Sequence, residues 1–117
     1  MWVFTKVGFF SIVRADPGPD GEELVMVRAR VLTDLERLSA FASELGTDLG
    51  SIHAWPGRDY PYRLIVGRDT WAELLHDLAA AIDYPNFKAE VSRGDGPSRA
   101  RLYGQVWSVM FDAEHKI

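Results

Sequence analysis

Val25 Met26 Val27 Arg28 Ala29 Arg30 Val31, followed after Leu32 by Thr33 Asp34 Leu35 Glu36, is the stretch whose reading decides the fold. In its first half Val25, Val27, Ala29 and Val31 alternate with Met26, Arg28 and Arg30, the period of two that a half-buried strand requires. In its second half the period lengthens. Thr33 and Glu36 stand at capping-box spacing, where the hydroxyl can accept the Glu36 amide and the carboxylate reaches back to that of Thr33. Beyond them Leu35, Leu38, Phe41, Ala42 and Leu45 share a stripe about 120° wide, with Gly46 where a helix ends and Glu36, Ala40 and Ser43 on the wet side. A strand leading into a capped helix predicts a chain that mixes both elements.

Upstream, Trp2 to Arg14 is rich in aromatic and β-branched residues and reads as a strand, with Gly8 marking a bulge or turn. Asp16 Pro17 Gly18 Pro19 Asp20 Gly21 is loop chemistry, so the first strand returns against Val25 to Val31 as a hairpin. Downstream, Ser51 to Trp55 and Tyr62 to Val66 form a second strand pair around Pro56 Gly57 Arg58 Asp59 Tyr60 Pro61. Thr70 and Glu73 then repeat the capping-box spacing, and Trp71, Leu74, Leu75, Leu78, Ala79 and Ile82 make a helical stripe.

The order strand, strand, capped helix thus occurs twice. It predicts an α+β fold with a four-stranded antiparallel sheet from two ββα units, helices on one face, plus C-terminal helices. Pro85 ends the second helix. Phe87 and Val91, one turn apart, predict a short helix stopping at Gly94. Arg101, Gln105, Ser108 and Asp112 recur at helical spacing, which predicts a last helix over 98–113 with Leu102, Tyr103, Val106, Val109, Met110 and Ala113 on its dry side. Gly104 weakens that helix by about 1 kcal/mol relative to Ala.

At 117 residues, 47% of them hydrophobic, the chain suits one domain over 1–117 that closes its core without staples. With no Cys there is no disulfide, thiolate zinc site, iron-sulfur cluster or cysteine nucleophile. Thirteen Lys plus Arg against seventeen Asp plus Glu, net -4, argues against a generally basic nucleic-acid coat. Lys6, Arg14 and Asp16 interrupt the most apolar stretch, and Arg14 and Asp16 stand where a signal-cleavage site needs small neutral residues. A cytoplasmic protein that does not span a membrane is the expectation.

The chemistry-bearing residues name no enzyme class. His53, His76 and His115 are far apart, and the Glu73-x-x-His76 spacing lacks the second pair and the further glutamates of a di-metal site, so no metal is expected. No nucleophile elbow, phosphate loop or dinucleotide fingerprint is present, and no catalytic residue or cofactor is named. Three features suit recognition instead. Arg93, Arg99 and Arg101 stand around the turn Gly94 Asp95 Gly96 Pro97 that opens a helix, where an anion could sit. Asp59 Tyr60 Pro61 Tyr62 Arg63 and Asp83 Tyr84 Pro85 Asn86 Phe87 Lys88 each mix an acid, tyrosine, proline and a base at an element's end.

The candidate binding surface is therefore Tyr60, Tyr62, Arg63, Asp83, Tyr84, Asn86, Lys88, Arg93, Arg99 and Arg101. Its first reading is a small binding or interaction module whose partner is a protein or a second copy of the chain. A single-stranded nucleic acid, stacked on Tyr60 and Tyr62 and held by Arg63 and Arg101, is an alternative. Another is a small enzyme acting on a phosphate- or carboxylate-bearing substrate, with Asp83 as general base beside the arginines.

Three separated blocks carry a likeness: Met1 Trp2 Val3 Phe4 Thr5 with Gly8 Phe9 Phe10 Ser11, then Ile82 Asp83 Tyr84 Asn86 Phe87 Lys88, then Val106 Trp107 Ser108 Met110. Together they resemble a family of short uncharacterised bacterial proteins. The resemblance implies one shared design over most of the chain, including a surface around Asp83 to Lys88, and attaches no catalytic role to any position.

Overall fold

Thr5 sets how the chain begins. Its hydroxyl donates to the Gly8 carbonyl at 3.0 Å and accepts the amides of Val7 and Gly8 at 3.1 and 3.2 Å. Lys6 and Val7 are thereby closed into a tight turn, and the expected single strand over 2–14 becomes two, β1 (Trp2–Thr5) and β2 (Gly8–Arg14). The protein is described from a computed structural model, over residues 1–116. Gly8 has φ +154, and a Cβ placed on it would lie 2.5 Å from Cγ of Asp34, so a side chain there would have to displace buried structure. Asp34 is 2% exposed, and its carboxylate accepts the Phe9 amide at 3.1 Å, fastening the first hairpin to the helix above it.

Strand β3 (Leu24–Ala29) pairs antiparallel with β2, and β5 (Tyr62–Gly67) pairs antiparallel with β3, so that Ile12, Val27 and Leu64 form one row. Strand β4 (His53–Ala54) pairs with the other edge of β5, giving the order β1-β2-β3-β5-β4. Helix α1 (Leu32–Glu44) contributes Leu35, Leu38 and Ala42, and α2 (Arg68–Ala80) contributes Trp71, Leu74 and Leu78. All six are buried with the Ile12, Val27 and Leu64 row in one core. Each enclosed Leu is worth roughly 1.5–3 kcal/mol of transfer free energy.

The α+β class and the antiparallel sheet are as the sequence predicts, while the finer layout differs. There are five strands in place of four, and three precede α1 where two precede α2. The Thr5 turn adds β1. The second hairpin is short because β4 has two residues before the Trp55 amide bonds to the Pro61 carbonyl at 2.8 Å and closes the loop. Pro56 and Pro61 have no amides with which to extend that ladder.

Both helices begin earlier than their capping-box spacing predicts. Val31 and Gly67 occupy the cap positions, neither helix has a side-chain cap, and Thr33 and Thr70 lie inside the first turns. The strands run almost straight into the helices, so their terminal residues take the caps. At the far end of α1 the Gly46 amide bonds to the Ser43 carbonyl and the Thr47 amide to that of Ala42, the paired closure expected there. Leu45 and Ile82, expected in the apolar stripes, lie past the helix ends and are exposed.

The chain forms two compact units, Met1–Ile82 and Asp83–Ile117. The second consists of α3 (Phe87–Asp95), α4 (Pro97–Phe111) and the short α5 (Ala113–Lys116). The Asn86 side chain accepts the Ala89 amide at 2.9 Å and caps α3. Helix α3 continues through Gly94, its expected end, to Asp95. The turn is Gly96 alone, at φ 92 and ψ 168, a region open to glycine, with Pro97 starting the next helix. Val91 and Tyr103 are the buried residues of this unit, with Phe87 stacked on Tyr103 at 5.9 Å. No helix among the described residues is long and apolar enough to cross a membrane.

Candidate functional site

The first expected contact cluster is a fastening. Tyr60 is 4% exposed, with φ 55, a left-handed conformation that costs a non-glycine residue of order 1–2 kcal/mol. The Arg28 and Arg30 guanidiniums lie over its ring, 4.7 and 4.2 Å from the centroid. Arg63 donates to the carbonyls of Tyr60 and Asp59 at 3.2 and 3.0 Å and to Met26 Sδ at 3.1 Å, and it covers the Trp55 ring at 5.0 Å. Arg30 pairs with Asp59 at 2.9 Å, and Tyr62 is half-buried against the core. Tyr60 is thereby enclosed, Tyr62 packs against the core, and Arg63 fastens the loop between β4 and β5 while itself only half-buried. The sequence reading missed Arg28 and Arg30 as their partners, although the alternation in β3 already set both arginines on the face opposite Val27.

That outward sheet face carries its own aromatic row. Phe4 and Phe9 stack at 4.5 Å, and Trp2, exposed, meets Phe9 edge-on at 6.1 Å. Arg28 donates to Ser11 Oγ at 2.7 Å, and Ser11 is enclosed beneath it.

The second cluster is open. Asp83, Tyr84, Asn86 and Arg93 meet, with Pro85, Ala89 and Glu90, around a concavity of about 260 Å³. Burial raises the Tyr84 hydroxyl above its ordinary pKa, with the negative Glu90 and then Asp83 adding to the effect, so it stays a neutral donor at ordinary pH. Arg93 pairs with Glu90, and the Asn86 oxygen is occupied as the α3 cap. Lys88 lies elsewhere, its Nζ 5.2 Å over the Trp107 ring. Arg99 donates to the Tyr103 hydroxyl at 3.0 Å, and Arg101 is exposed on α4. The expected three-arginine loop is therefore not formed. Arg93 ends one helix, Arg99 and Arg101 begin the next, and a single residue separates the helices. Among the described residues no three of His, Cys, Asp and Glu come together as a metal-holding group.

What the sequence reading placed on the dry side of the last helix is the most apolar open surface of the second unit. Leu102, Val106, Val109 and Met110 are between 40 and 69% exposed, and at 100° per residue they share one face of α4. Trp107 and Phe111, also exposed, stack on each other at 5.3 Å beside it. Of the expected dry side only Tyr103 is buried, because the nine-residue α3 is shorter than the fifteen-residue α4 and leaves the rest of it uncovered. Arg99 and Arg101 stand at the start of α4, and Asp112 and Glu114 follow its end, which is the reverse of the order the helix dipole favours.

Compared with family models, curated proteins and solved structures, the chain matches none.

Proposed function

We propose that this chain is an interaction module that docks on a protein through the apolar face of α4, and that a second copy is the partner its charges fit. The observation that carries this reading is the row Leu102, Val106, Val109 and Met110, exposed on one helix face and larger than scattered surface residues explain. In an antiparallel pair the start of each α4, with Arg99 and Arg101, lies beside the end of the other, which Asp112 and Glu114 follow. Each helix then supplies the charge that the other's dipole lacks.

Light scattering after size exclusion, over a wide concentration range, tests it. The expected mass rises from 13.2 kDa toward a dimer, and Val106→Glu together with Met110→Glu holds it at the monomer. A wild-type monomer at the highest concentration sinks self-association.

A single-stranded nucleic acid is the second reading, now supported by the exposed Trp2 and by Trp55 under Arg63 in place of the enclosed Tyr60. Absence of oligonucleotide binding at low salt disposes of it.

A further inference from the structure

At the open end of the sheet in the first unit, the register brings an arginine to the core side. Arg14 is opposite Val25, and Val25 is opposite Val66, so the three leave the sheet on one face. Val25 and Val66 belong to the core with Trp71. Arg14 makes no hydrogen bond or ion pair among the described residues. Across the same end the Arg68 amide bonds to the Glu23 carbonyl at 2.9 Å, and their side chains pair.

Between these elements is a cavity of about 480 Å³, within the usual range of small-molecule sites, roughly 300–1,000 Å³. Its walls include Ile12, Pro17 and Leu24, with Arg14, Arg68 and the Met1 ammonium as cations, Glu23 as an anion, and Trp71 lining it as well. Trp71 is 5% exposed, and its Nε1–H is buried with no acceptor among the described residues. An apolar wall that includes Trp71 and a guanidinium without a partner among the described residues border one small space.

We propose that this cavity binds a small monocarboxylate with an apolar tail. The carboxylate meets Arg14, while the tail lies along Ile12, Pro17, Leu24 and Trp71. A singly charged head suffices, because Arg68 is already engaged by Glu23 and the Met1 ammonium donates to the Ile12 carbonyl, so that Arg14 is the cation left without a partner among the described residues.

The test is a titration of the full chain with decanoate, followed by the indole N–H resonances in a nitrogen-proton correlation spectrum, with Trp71→Phe assigning its signal. The expected result is a saturable shift of the Trp71 signal. Loss of one charge-assisted contact should weaken binding about tenfold, both for Arg14→Ala and for decanol in place of decanoate. Arg14 is exposed, so its variant tests the charge even if Trp71→Phe fails to fold. The proposal is overturned by a Trp71 signal that does not move, by equal affinity for decanol, by an Arg14→Ala variant that binds as the wild type does, or by shifts at Trp107 alone.

Discussion

Asp59 to Arg63 and Asp83 to Lys88 are written in nearly the same letters, an acid followed by tyrosine, proline and a base, yet they end in opposite situations. The first joins two strands of a sheet whose outward face already carries Arg28 and Arg30, and its Tyr60 disappears beneath them. The second enters a helix, and its Tyr84 borders an open concavity. Composition selects residues able to make contacts, whereas neighbours decide whether those contacts are made internally or left for a partner. A loop between adjacent strands is crowded by side chains from both, while a loop before a helix is crowded mainly by the helix's own first turn.

The largest expected difference is in the tyrosines themselves. Tyr60→Ala should cost about 3 kcal/mol in urea unfolding, through the lost ring packing and its two guanidinium contacts, against under about 1 kcal/mol for Tyr84→Ala. Equal losses would break the contrast. Next, Asp34→Ala, which leaves the Phe9 amide without its acceptor, should cost about 2 kcal/mol and speed amide exchange in β1 and β2 first. Uniform acceleration across the sheet would show that Asp34 does not fasten that hairpin in particular.

Smaller still, Asn86→Ala removes the α3 cap and should cost about 1 kcal/mol, read as faster exchange in α3 while β3 and β5 keep their protection.

The smallest effect is one of pH. Because the folded Tyr84 hydroxyl has a raised pKa, the unfolded chain gives up that proton first as the solution becomes alkaline. Its contribution to stability is whole below the ordinary tyrosine value of about 10 and is lost as pH rises through the higher folded value. Tyr84→Phe should therefore flatten the alkaline limb of the stability profile, measured by unfolding at successive pH values. An unchanged limb would place Tyr84 in solvent like any surface tyrosine.

Much of the fold was legible. Alternation in Val25 to Ala29, the stripe from Leu35 to Ala42 and the stripe from Trp71 to Leu78 rest on which side of an element is dry, and local periodicity reports that directly, whereas Val31, expected to continue the strand, is the exposed cap of α1. The Thr5 turn was less legible, since Thr Lys Val Gly resembles strand until the hydroxyl is seen to bond three neighbouring groups. Helix starts were misjudged for a related reason, as a good cap spacing loses to a strand that delivers the chain in helical register earlier, at Val31 in place of Thr33 and at Gly67 in place of Thr70.

The candidate site was legible in part. Asp83, Tyr84, Asn86 and Arg93 do meet, because one short connection and one helix hold all four. Tyr60 was read as a contact residue because its partners, Arg28 on β3 and Arg30 just past it, are about thirty residues away in the chain. By itself the sequence determined which side chains face together along each strand and helix, since that follows from backbone periods of two and 3.6 residues. Only the tertiary structure decided which of those faces are covered. Burial depends on what another segment brings to the same place: Arg28 and Arg30 over Tyr60, and no more than a nine-residue helix against α4.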